Sequence, residues 1–160
     1  IGQLEHNPLT QGLFATDIGY YPKARFHYRD RQNGSLQHIM IYCTQGEGWY
    51  QIGKSERYTV MANQVFILPA QIAHQYGATE ANPWSIYWLH FSGTQSTSYR
   101  HYLHGDGKNA PITIVPTDER FRLFDDIFAH LTMSFNSDNL IFANACLPHL
   151  LATFRESVYK

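Results

Sequence analysis

Cysteine is scarce in this sequence, charge is sparse, and no long apolar run is present. The 160 residues hold two cysteines, Cys43 and Cys146, and no CxxC pair. They make neither a disulfide framework nor a zinc knuckle, and they read as small buried hydrophobes in a reducing compartment. No apolar stretch approaches the roughly 20 residues that a membrane-spanning helix needs. The expected location is cytoplasmic. Charged residues make up 16 %, and 12 Lys and Arg nearly balance 13 Asp and Glu, for a net charge of -1. That excludes a strongly basic grip on nucleic acid across the whole chain, and equally a solvated acidic tail. Catalytic signatures are missing too. There is no G-x-S-x-G elbow, no glycine loop that opens a helix to cradle a phosphate, and no HxH pair ahead of His74. A lone His74 falls short of the three or more ligands of a stable metal site, and it reads instead as a hydrogen-bonded strand-end residue or a polar group of a ligand pocket. Cys43 lies in an apolar strand without an activating base and reads as core. Neither a metal nor a cofactor is expected, nor an enzyme.

What is present is apolar and aromatic mass. Apolar residues are 44 % of the chain, with 11 Tyr, 10 Phe and 3 Trp, enough for one real core. Residues 1–24 read as an N-terminal arm with few periodic apolar positions. Residues 25–116 read as strand after strand, at His38–Thr44, Trp49–Ile52, Arg57–Met61, Val65–Leu68, His74–Ala78, Trp84–Phe91 and Ile112–Val115. Strands this short, cut by Gly46-Glu47-Gly48, Gly53 and Pro69, predict an antiparallel sandwich or barrel.

Residues 117–160 predict two helices. The first begins at Thr117 or Asp118, with acids in its first turn and Phe121, Phe124, Ile127, Phe128 and Leu131 at helical spacing. The second begins near Asp138 and carries Pro148. Its apolar side has two possible partners, the barrel's outer wall or a second copy of the same helices. Leu147, Leu150, Leu151, Phe154 and Val158 are assigned to a homodimer interface.

Between Ile41 and His74 the chain runs strand, G-E-G turn, strand, short turn, strand, and a hydrophobic strand that stops at Pro69. The segment resembles the second cupin motif, G-x5-P-x-G-x2-H, through Asn63, Pro69, Ala70, Gln71 and His74, with Asn63 and Gln71 in place of its glycines. An arm with Pro8 comes first, then Tyr28-Arg29-Asp30-Arg31. Tyr76-Gly77, a tryptophan-rich strand and two helices follow His74. This order is similar to the N-terminal effector-binding and dimerisation domain of the AraC family of bacterial transcription regulators. The resemblance covers nearly the whole chain and ends where that family's helix-turn-helix half would begin; no such motif is read here.

The resemblance implies a cupin-like double-stranded β-helix (a jelly-roll barrel), preceded by an arm and followed by two helices. It implies a small-molecule effector, most simply a sugar, a homodimer, and contact with DNA only through a separate domain. A sugar site wants an aromatic face and charged or amide groups that bond to hydroxyls. Arg31, Tyr76 and Trp88 fall at the family's sugar-contacting positions. Alternation places Trp84, Ile86, Trp88 and His90 on one face of their strand, and Tyr76 on the same face as His74. Ile86 stands where a sugar-binding member of the family has a hydrogen-bonding histidine, and a polar arm position of that member falls near Tyr21. Pro8 and Phe14 are expected to close over the ligand. The rival readings are a sugar-modifying cupin enzyme and a dimerisation module whose barrel is filled by Trp84, Trp88, Tyr76 and Tyr87.

Overall fold

The computed structural model describes residues 2–133 and 136–156. The chain forms a short helix α1 (Gly2–His6) and eight strands, β1 (Phe14–Tyr21), β2 (Tyr28–Arg31), β3 (His38–Gln45), β4 (Glu47–Ile52), β5 (Arg57–Met61), β6 (Gln64–Leu68), β7 (His74–Ala78) and β8 (Ser85–Ser92). Helix α2 (Ser96–His104), a two-residue strand β9 (Ile112–Thr113), and helices α3 (Asp118–Met133) and α4 (Ser137–Thr153) complete it. The strands make two antiparallel sheets, ordered β1-β8-β3-β6-β9 and β2-β7-β4-β5. Eight strands alternating between two facing sheets in this order make the jelly roll, a cupin-like double-stranded β-helix.

Each inner strand of the first sheet is apolar on both faces because each face has a cover. Ile39, Ile41 and Cys43 of β3 point between the sheets, with Tyr50, Val60, Phe66, Trp84 and Ile86. Met40 and Tyr42 point the other way, onto α3 and α4, with Val65, Ile67, Leu89 and Phe91. Tyr50 and Phe66 stack with ring centroids 3.9 Å apart and, with the fully buried Trp84, plug one end of the barrel. Asn63 and Gln71, which stand at the motif's glycine positions, both have left-handed backbone, with φ 66° and 62°. Glycine is the residue such turns favour, and asparagine tolerates them better than glutamine does.

Besides β2, which falls where the sequence reading has no strand, three elements depart from it. The arm contributes a strand: β1 pairs along β8 from Phe14–Ser92 to Tyr21–Ile86. Its first turns also contain α1. The third is α2, whose apolar contact is limited to Leu103 and Tyr99 and which is otherwise anchored by polar side chains. Strand β9 covers only Gln64 and Val65 of β6. Beyond it, Arg100 Nε donates to the Ile67 carbonyl at 2.8 Å, and the Ile67 N–H donates to His104 Nε2 at 2.9 Å. Two side chains of α2 thus complete the ladder that a longer strand would have made.

The helical layer corrects the interface assignment. Leu147, Leu150 and Leu151 are fully buried and Phe154 nearly so, all within the single chain, against α3 and the outer face of the first sheet. Of the two partners open to this apolar side, the barrel wall takes it, because the first sheet needs a cover on its second face. Val158 lies outside the described residues. Arg120, also buried, donates to the Val115 and Thr153 carbonyls and lies against the Tyr42 and Phe154 rings.

The buried imidazoles give the domain an acid sensitivity. His104 and His38 accept backbone N–H bonds from Ile67 and Ala70 and must be neutral to do so. Burial first, and the Arg100 charge second, lowers both from 6.5 to about 4. Between those values the unfolded chain takes up protons that the folded chain refuses. Stability is therefore complete above about pH 6.5 and drains as pH falls toward 4, by on the order of 2 kcal/mol per histidine. Urea denaturation followed across pH 4–8 is expected to show a midpoint that falls steadily below pH 6.5. A flat profile there would contradict this reading.

Candidate ligand-binding site

The open end of the barrel holds a cavity of about 390 Å³, lined by Asp17, Tyr21, His27, Arg29, Arg31, Ile41, Tyr76, Ile86, Trp88 and His90. Period-2 alternation puts them there. Arg29 and Arg31 are two apart on β2, Ile86, Trp88 and His90 are successive inward positions of β8, and Asp17 and Tyr21 lie on one side of β1.

Arg31 is the most constrained polar group. In the ladder it pairs with His74. Its Nη1 lies 3.1 Å from His74 Nε2 and donates to Tyr76 Oη at 3.2 Å. The guanidinium carbon sits 5.7 Å from the Tyr76 ring centre, and the His74 ring stacks on Tyr76 with centroids 5.8 Å apart. His74 is buried, and burial followed by the Arg31 charge lowers it to about 4. A neutral imidazole accepts from Arg31 through Nε2, the lone pair that would otherwise reach a metal. Among the described residues no other group accepts from Arg31 Nε or Nη2, so those donors remain for a ligand.

The opposite wall is aromatic. Gly19 pairs with Trp88, and a Cβ at Gly19 would run into the Trp88 six-membered ring. The missing side chain lets the indole lie across β1. His90 follows Trp88, with ring centroids 5.5 Å apart, and its Nδ1 lies 3.6 Å from Asp17 Oδ2. Burial, the dominant effect, lowers His90, while the Asp17 charge opposes it. His27 reaches the cavity from the loop after β1. Trp84 Nε1 donates to its Nδ1 at 3.2 Å, and burial together with Arg29 and Arg31 lowers it to about 4.

The structure therefore brings Arg31, Tyr76, Ile86 and Trp88 to one cavity and sets His74 directly behind Arg31. Pro8 and Phe14 do not line it. Pro8 is exposed in the turn after α1, and Phe14 is buried at the start of β1, held there by pairing with Ser92. Trp84 plugs the barrel and Tyr87 faces α3, so the barrel is filled at one end only. Asp17, His27, Arg29, Ile41 and His90 are added to the expected set. Alternation from Trp88 pointed to His90, whereas Arg29 was hidden because no strand was read at β2. Asp17 was hidden because β1 was read as arm, and His27 because a loop position has no period.

The AraC-like ligand binding domain family matches residues 18–151 of the chain. A curated relative, the MmsAB operon regulatory protein of Pseudomonas aeruginosa, is 33 % identical over 102 residues, which are 62 % of this chain and 33 % of that protein. The lactose operon transcription activator of Staphylococcus xylosus is 32 % identical over 78 residues, 49 % of this chain and 26 % of that protein. The chain thus spans about a third or less of the length of these relatives. Among solved structures, the Schizosaccharomyces pombe Cnp3 cupin domain aligns at 12 % identity with a TM-score of 0.40, over 55 % of this chain and 69 % of that chain.

Proposed function

Because the chain belongs to the family of AraC-like ligand binding domains, we propose that it senses a small effector, a sugar, in the cavity between its sheets. Its occupancy is read by a helix-turn-helix domain of the same regulator. The observation that carries this is the clamped Arg31 facing Trp88 across a cavity of about 390 Å³. A fixed guanidinium orients hydroxyls, and an indole face packs on the apolar side of a sugar ring. The role is binding rather than catalysis, in the cytoplasm.

Strand β1 is the proposed transmitter. Asp17 and Tyr21 face the cavity, while the Ala15 N–H donates to Asn144 Oδ1 on α4 at 2.7 Å. Ligand that draws in β1 shifts the population of α4 positions. This replaces a lid made by Pro8 and Phe14. A homodimer through the helical layer is also proposed. Because Leu147, Leu150 and Leu151 are used within the chain, its contacts fall to exposed residues such as Phe128 and Phe142.

A thermal-shift panel of mono- and disaccharides, uronates and sugar phosphates tests the sensing role. A ligand at 100 times its dissociation constant adds about 2.7 kcal/mol of stability, a shift of several degrees. A saturable stabilisation by a sugar is expected; a panel without any would overturn the sugar reading.

A further inference from the structure

We propose that the effector is an anion, a polyhydroxylated molecule with one carboxylate or phosphate gripped by Arg29 and Arg31. This rests on the sensing role above and narrows its ligand class.

The charge lining the cavity carries the inference. Two guanidiniums, Arg29 and Arg31, stand on the same side of β2, two residues apart. Among the described residues neither has a carboxylate partner within ion-pair distance. Asp30, between them in sequence, projects to the other face of the strand and receives Gln75 Nε2 at 3.4 Å. The one carboxylate that lines the cavity, Asp17, sits across from them beside His90. Two like charges held side by side without a counter-ion oppose folding, and an anion between them removes that cost.

Position divides the work between the two arginines. Arg31 is half-buried and braced through Nη1, which leaves Nε and Nη2 as a pre-set fork. Arg29 is exposed at the mouth, with its Nη1 on the Tyr28 carbonyl at 2.9 Å. A planar fork matches a carboxylate or phosphate edge in two parallel bonds, and a second cation at the mouth adds attraction. His27 and His74 are neutral at pH 7, so the positive charge lining the cavity is that of the two arginines alone. The arginines' own field, after burial, helps keep His27 and His74 unprotonated. Trp88, Ile86 and Tyr76 line the remaining wall and suit the uncharged body of the ligand.

Matched triads test this: glucose, galactose and mannose, each with its uronate and its 6-phosphate, titrated by calorimetry at low and at 0.5 M salt. Lactate, glycerate and inorganic phosphate are the non-sugar arms. An anionic member is expected to bind at least tenfold tighter than its neutral parent at low salt. The gap is expected to narrow in high salt and to shrink severalfold in Arg29→Gln. A uronate preference and a 6-phosphate preference assign the anion to carboxylate or phosphate. A neutral hexose that binds as tightly as its anions overturns the inference and leaves sugar sensing standing. Binding of glycerate or lactate without any sugar keeps the anion and removes the sugar. Absence of binding by every anion overturns the proposal.

Discussion

Leu151→Asp is expected to give no folded domain, in place of a folded monomer. Leu151 is fully buried against the outer face of the first sheet, with Leu147 and Leu150 beside it. Removing a buried leucine side chain costs about 2–5 kcal/mol, and placing an unpaired carboxylate there adds more. The total reaches the lower part of the roughly 5–15 kcal/mol that ordinarily holds a domain together. Circular dichroism and sizing are expected to show lost structure or aggregation. A well-folded monomer with an unchanged melting temperature would return Leu151 to an interface between copies. Phe128→Asp is the companion variant. Its side chain is 48 % exposed, so the fold is expected to survive.

Arg31→Ala is expected to weaken effector binding by about a hundredfold or more while leaving the domain folded. Hydrogen bonds to a charged group are worth about 1.5–3 kcal/mol each, and Arg31 offers a ligand two unused nitrogens. Arg31→Lys is expected to rescue little, because one ammonium cannot brace against His74 and Tyr76 and still present a fork. His74→Phe is expected to weaken binding about tenfold by freeing Arg31, without touching the ligand itself. Calorimetry on each variant, with thermal melts as the folding control, checks the series. Binding within threefold of the parent in Arg31→Ala would remove Arg31 from the site.

The strands from β3 to β8 were legible because their β-branched and aromatic runs are cut by glycine and proline. So were α3 and α4, whose apolar spacing is strong. Strand β1 was not. It is an edge strand, and its FATDIGYY sequence mixes polar, small and aromatic residues because one face lines a cavity and Gly19 makes room for Trp88. Helix α2 was hidden for a different reason, since its apolar contact is limited to Leu103 and Tyr99 and it is otherwise anchored by Arg100 and His104 through hydrogen bonds. The site followed the same pattern. Arg31, Tyr76, Ile86 and Trp88 were reached through the family resemblance, with alternation supporting the two on β8, whereas Asp17 depends on a strand that periodicity does not reveal. The leucines of α4 were recognised as apolar, but which surface covers them depends on the first sheet having two apolar faces, a tertiary fact.

The cavity between the sheets is the core of this account, and the three tryptophans report on it separately. Trp88 lines the cavity, Trp84 is buried in the plug, and Trp49 lies on the outside of the second sheet under Arg57, 3.8 Å from its ring centre. The decisive measurement is fluorine NMR of the domain labelled with 5-fluorotryptophan, titrated with the hexoses, uronates and hexose 6-phosphates above. The account predicts that a binding member moves the Trp88 resonance in a saturable way and leaves Trp49 in place. Saturable binding that moves Trp49 and leaves Trp88 still would put the effector site elsewhere and contradict it.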